Sequence, residues 1–233
     1  MSVLNDEEIE RYCKEYQLIK PYDMKKIKRD FYERDTLTVA KELLGKYLVH
    51  NSTEGTTIGK IVETEAYIGP SDPGSHAYKG LKSRRTEVQF GLGGYAYIYQ
   101  IYGIYFCFNV VTQKIEMPEV VLIRAFEPIE GITLMTKRRK FSEITVKKII
   151  NLTNGPAKLC TAMGIDKSLY GVDLCGEKLF IASPNPKADF EIVSTPRINI
   201  DYAGEAKDYP WRFVIKNNKF VSKPKKIRVK KTD

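Results

Sequence analysis

Residues 61–70 read IVETEAYIGP, and residues 95–111 read YAYIYQIYGIYFCFNVV. Taken as a strand, the first stretch alternates Ile61, Glu63, Glu65 and Tyr67 on one face with Val62, Thr64, Ala66 and Ile68 on the other. Two acids on an otherwise apolar strand need partners or a task, because a buried charge left alone is costly. The second stretch is dense in aromatic residues, and Gly103 interrupts it just after Tyr102. A glycine there suits a tight hairpin turn between strands at 95–101 and 104–111. Such a turn places Tyr102 at the tip, where a large ring has little reason to sit in water. It is a candidate wedge.

Composition narrows the partners. The chain has 233 residues, 42% of them hydrophobic, with a formal net charge of +9. That is enough apolar material for one sizeable domain, and the basic excess favours a polyanionic partner. The four cysteines and two histidines show no zinc-ligand spacing and no C-x-x-C pair, so reduced buried thiols are expected. Asp6, Glu7 and Glu8 open the chain without an apolar core to follow, so no secretory leader is expected; no run is long enough to span a membrane.

Along the chain, Asn5 and Glu8 resemble a capping box for a helix reaching about Tyr16, and Lys25, Lys26, Lys28 and Arg29 read as a solvated connector. Asp35 or Thr36 can cap a helix ending near Gly45, and segments 47–50 and 58–67 read as paired strands. Segment 120–126 is an apolar strand broken by Arg124, which reads as the lining of a site. Pro128 suits a helix start, Ser142 suits another cap, and Asn154-Gly155-Pro156 looks like a helix N-terminus able to hold a phosphate. Short strands are expected at 178–182 and 190–193, and a further apolar run at 211–215. The last fifteen residues hold seven Lys or Arg and read as a solvated tail.

Several of these segments together resemble the alkyladenine (3-methyladenine) DNA glycosylase family: IVETEAYIGP, His76, YAYIYQIYG, IRAFEPIEG, NGPAKLC and RINIDYAGEAKDYPWRF, in that family's order from Phe31 to Ser222. The chain departs from the pattern at Thr86, at Gln89 (where methionine is usual), at Leu92-Gly93, at Ala157 and at Asn199. The resemblance implies a division into an extension (1–30), a glycosylase domain (31–222) and a basic tail (223–233). It implies that Glu65 is the general base that activates a water, with Glu63 in a supporting part. Tyr67, His76, Tyr99 and Asn109 would form the base pocket, and Tyr102 with Gly103 the tip that enters DNA. Arg124 either holds a phosphate or orients Glu65.

Glycosidic cleavage builds positive charge on the sugar, which a nearby carboxylate can steady while taking a proton from water. A base inside a duplex must first be flipped out. Two tyrosines can sandwich a purine, and a cationic alkylated purine gains cation–π attraction of about 0.5–2 kcal/mol. On the residues alone, packing is the simpler expectation for Tyr97 and Tyr105, and for Tyr67 and Tyr99 as well. The expected protein is an α+β single domain, with a curved, mainly antiparallel sheet, flanking helices and a protruding hairpin. It would act as a monomer, without cofactor or metal, on double-stranded DNA containing damaged purines, in the cytoplasm of a prokaryote or the nucleus of a eukaryote. Two rivals stay open: a non-catalytic aromatic-rich module that stacks on nucleic acid, and a sugar hydrolase using both carboxylates.

Overall fold

The computed structural model describes residues 24–222 except 144, 187 and 188. The expected helix from Asn5 to Tyr16 and the basic tail lie outside these residues. In chain order the elements are β1 (Met24–Lys26), α1 (Arg29–Tyr32), α2 (Thr36–Glu42), β2 (Tyr47–Ser52), β3 (Gly55–Tyr67), β4 (Ala96–Ile101), β5 (Tyr105–Thr112) and β6 (Glu119–Glu130). Then come α3 (Ile132–Arg138), α4 (Val146–Thr153), α5 (Pro156–Met163), β7 (Leu179–Pro184), β8 (Ile192–Thr195) and β9 (Arg212–Ile215). No helix among the described residues is long and apolar enough to cross a membrane.

The strands form one antiparallel sheet in the order β1-β7-β2-β3-β6-β5-β4. Strand β3 is its axis. On one edge it pairs with β6 from Ile58 to Tyr67; on the other it pairs with β2 up to Lys60 and then with β9 at Glu63–Glu65. Its core face packs Val62 and Ala66 with Val121, Ile123 and Ala125 of β6 against Val39, Leu43, Leu152 and Leu159 from the helices and the segments beside them. Gly59 is required by that packing, since a Cβ there would fall 2.0 Å from the Phe126 ring.

Local signals explain most boundaries. Asp35 caps α2 by accepting from the Thr38 amide at 2.8 Å. Four expectations change. Lys25 and Lys26 belong to an edge strand on β7 rather than a solvated connector, and Lys26 pairs with Glu177. Pro128 does not start a helix; it lies inside β6 opposite Gly59, at a register shift where a missing N–H is tolerated. Thr145, not Ser142, caps α4. Phe220 and Ser222, inside the run expected as a solvated tail, are buried.

Candidate active site

Pairing register builds one face of the site. Glu65 on β3 stands opposite Leu122 on β6, Leu122 opposite Asn109 on β5, and Asn109 opposite Tyr97 on β4. This row points away from the main core, as do Val120 and Arg124 two residues either side of Leu122. Simple alternation fails at one place. Ile61 pairs with Phe126, Glu63 with Ala125 and Thr64 with Ile123, so Val62 is an extra residue on β3 and Arg124 an extra residue on β6. These paired bulges send Ile61 into the core with Val62, not onto the face of the acids, and aim Arg124 across the strands.

Arg124 joins the two carboxylates. Its Nε donates to Glu63 Oε1 and its Nη1 to Glu65 Oε2, each at 3.1 Å. Burial opposes the guanidinium charge, but Glu65 and then Glu63 more than offset it, so its pKa is raised. Arg124 is buried, and its Nε and Nη1 are engaged by the two acids while the residue also borders the cleft. Glu63 is enclosed: Oε1 also accepts from Arg212 Nε (2.7 Å) and Ser222 Oγ (2.8 Å), and Oε2 from the Ser222 amide (2.7 Å). Glu65, also 0% exposed, accepts from the Tyr67 hydroxyl at 2.8 Å and from the Ile198 amide at 2.8 Å. Burial, then the Glu65 charge, raise the Tyr67 hydroxyl well above the ordinary phenol value, which keeps it a donor.

These groups back an open cleft of about 820 Å³ lined by Tyr67, His76, Tyr99, Asn109 and Arg124, with the hairpin tip at its rim. Glu65 does not itself line the cleft; it lies one side chain behind Tyr67, Arg124 and Ile198, which do. Asp72 ties down the loop that carries His76. It accepts from Ile68 and Gly74 amides and forms a fully buried pair with Arg197, whose Nη2 reaches Oδ1 at 2.8 Å. The Arg197 guanidinium also lies 4.7 Å from the Tyr67 ring centre, bracing that ring from one side. His76 Nδ1 is 2.8 Å from the Tyr97 hydroxyl, and its ring meets Tyr99 edge-on at 4.6 Å. Arg85 sits over Tyr99 and donates to His76 Nε2 at 3.2 Å. Burial, then Arg85, lower the His76 pKa to about 4, so the ring is neutral at pH 7. Asn109 Nδ2 donates to the Tyr97 carbonyl at 3.0 Å.

Strands β4 and β5 pair up to Ile101 and Tyr105, so the turn takes residues 102–104, one more than the sequence suggests, and Tyr102 and Gly103 both have positive φ, 49° and 70°. Strand β5 pairs with β6 only from Asn109 to Thr112, so the tip projects beyond the sheet, and Tyr102 is 85% exposed. Tyr105 is 39% exposed and borders the cleft, against the expectation of packing, whereas Tyr97 is buried. Gly155, not Asn154, occupies the cap position of α5; the Asn154 side chain instead accepts from Lys158 at 2.7 Å.

All eight expected site residues therefore gather at one cleft, with Glu65 behind its wall and Tyr102 and Gly103 at the projecting tip beside it. Sequence reasoning missed Asp72, Arg85, Gln89, Arg197 and Arg212. Only the charge inside the apolar segment 211–215 gave a local hint, at Arg212; the others owe their place to partners far along the chain.

Comparison with known proteins identifies the family. The family model for methylpurine-DNA glycosylase matches residues 30–219. A Clostridium acetobutylicum protein bearing the name 3-methyladenine DNA glycosylase is 54% identical over 86% of this chain and 99% of its own length. Proteins of the same name from Desulfitobacterium hafniense and Bacillus cytotoxicus are 48% and 51% identical, over 85% and 83% of this chain and 99% and 97% of theirs. With a match that spans the sheet, the cleft and the hairpin alike, the chain belongs to the methylpurine-DNA glycosylase family.

Proposed function

We propose that this chain flips alkylated purines, and deaminated ones, out of duplex DNA and hydrolyses the N-glycosidic bond with a water activated by Glu65. The coarser activity follows from family membership: it is a DNA glycosylase that removes methylated purines, the first step of base-excision repair. The observation that carries the finer reading is the Glu65 carboxylate, fixed by Arg124, Tyr67 and the Ile198 amide directly behind an aromatic cleft. The base enters beside Tyr67 and Tyr99, with His76 at its edge and Asn109 on the floor. Tyr102 fills the gap left in the helix. Phosphates are met at the N-terminus of α5, where Gly155, Ala157 and Lys158 border the cleft.

In the chemical step the water oxygen bonds to C1′, the C1′–N bond breaks, and its electron pair leaves with the purine. A purine alkylated at N3 or N7 already carries positive charge and departs neutral, whereas a deaminated purine departs as its anion and takes up a proton from solvent. Glu65 takes the water's proton and steadies the charge on the sugar. The water has to reach Glu65 between Tyr67, Arg124 and Ile198, the three lining residues that touch it. Glu63, wrapped by four donors, holds Arg124 in place. The product is an abasic site in an uncut strand. With bacterial relatives, the expected workplace is the cytoplasm, where the chromosome lies.

The test is to incubate the full chain with duplexes carrying single alkylated or deaminated purines and to identify what is freed. Release of intact base with an unbroken strand supports the reading. Tight binding with no base release would leave only a stacking module, and cleavage of free glycosides would indicate a sugar hydrolase.

A further inference from the structure

Arg85 lies between His76 and the 3-10 turn Glu87–Phe90, exposed to solvent and lining the cleft. Its guanidinium sits 4.9 Å from the centre of the Tyr99 ring and donates to His76 Nε2 at 3.2 Å. Tyr99 and His76 are two of the groups that would meet a flipped base. A positive charge is therefore held at the surface that receives the base.

The other arginines near that surface are balanced differently. Arg124 faces Glu63 and Glu65, and Arg197, behind Tyr67, is paired with Asp72. Arg85 forms no ion pair with a carboxylate among the described residues; it rests on a ring face and on a neutral imidazole. Its charge is not cancelled where it stands. A guanidinium also has five N–H donors, so one group can hold His76 and still donate to the base.

The purines themselves differ in charge. One alkylated at N3 or N7 enters as a cation and leaves neutral; a deaminated one enters neutral and leaves as an anion. At every stage the first carries one unit more positive charge than the second, while the sugar develops the same charge in both. A cation beside the base therefore acts on the two in opposite senses, and the ratio of their rates reads that cation directly.

We propose that Arg85 is a specificity-determining residue: its charge at the Tyr99–His76 wall speeds departure of neutral purines and weakens the hold on cationic ones. As water bonds to C1′ and the C1′–N bond breaks, the electron pair stays on the purine. Arg85 steadies that pair by charge and N–H donation without giving up a proton, and solvent protonates the base after it departs. This assignment rests on the base-flipping reading of the cleft given above.

The test compares the parent chain with Arg85→Gln, which keeps an N–H donor for His76 but removes the charge, and with Arg85→Lys, which keeps the charge. Single-turnover release is measured from matched duplexes holding one N7-methylguanine or one hypoxanthine. In Arg85→Gln the ratio of hypoxanthine release to N7-methylguanine release should fall about tenfold, the equivalent of about 1.4 kcal/mol. Slower hypoxanthine release should account for most of the fall, with N7-methylguanine release unchanged or faster. Arg85→Lys should restore most of the parent's ratio. Both variants should melt with the parent, because Arg85 is exposed. Equal losses on both lesions would make Arg85 a mere prop for His76 and overturn the charge role. A parental ratio in Arg85→Gln, or a ratio in Arg85→Lys as low as in Arg85→Gln, would overturn it too. A parent chain that frees N7-methylguanine but not hypoxanthine removes this assignment and leaves the glycosylase reading standing; one that frees neither removes both.

Discussion

Replacing Tyr102 with alanine isolates the hairpin tip from the rest of the molecule. The side chain is 85% exposed, so truncation should change folding stability by no more than about 0.5 kcal/mol. Inserted into a base stack, the same ring would be covered almost entirely. An aromatic side chain buries roughly 150–250 Å², and at about 25 cal/mol per Å² this gives about 4–6 kcal/mol before any opposing term. Unstacking and ordering take back a few kcal/mol, leaving about 1–3 kcal/mol, or roughly five- to 150-fold in the flipped population. Single-turnover excision from fully paired duplex should fall by that factor. The same lesion opposite a mismatch or beside a gap is already half extruded, so the defect there should shrink severalfold. A folded Tyr102→Ala protein with equal losses on paired and mismatched substrates would refute the wedge. So would a loss confined to single-strand binding, which would mark the tip as a stacking platform.

Other expectations follow from the same geometry. Both histidines titrate below their ordinary value of 6.5, His76 at about 4 and His50 in the same direction through burial. Between about pH 4 and 6.5 the unfolded chain therefore binds more protons, so stability is complete above pH 6.5 and is lost as pH falls. His76 contributes about 2–3 kcal/mol of that slope after allowance for its partial exposure, and His76→Gln should flatten the urea-midpoint profile accordingly. Glu63→Gln keeps the shape but removes the charge facing Arg124 and Arg212; it should cost about 1–3 kcal/mol in chemical denaturation while leaving excision at low temperature within a few-fold. Removing residues 223–233 should lower the salt slope of duplex binding by roughly one to five units and spare the saturated rate. The cut must fall after Ser222, because that residue holds Glu63.

What was legible in the sequence was what is local. Period-two alternation gives the strands, and Gly103 after Tyr102 gives the hairpin. Asp35 before Thr36 gives the helix start. The family motifs locate Glu65, His76 and the tyrosines. The bulges at Val62 and Arg124 were not legible, because an extra residue on each of two strands leaves the overall alternation intact while changing which side chains meet. Pro128 misled for a related reason: its missing N–H argues against a strand, and only the register shift opposite Gly59 makes room for it. Arg197 could not be found because its partner Asp72 lies 125 residues away. The burial of Gln89 was not legible either, because distant elements cover it.

The central claim is that Glu65 activates the water. Glu65→Gln keeps the side chain's size, and Arg124 keeps Glu63 as a charged partner, so the fold should survive. The decisive measurement is the single-turnover rate of base release from a duplex with one N3-alkylated adenine, alongside the affinity of the same protein for that duplex. A positioned general base contributes about 10²–10⁴-fold. The expected result is a loss within that range or beyond it, with affinity retained within a few-fold. A rate within a few-fold of the parent's would contradict the account and remove Glu65 from the chemical step.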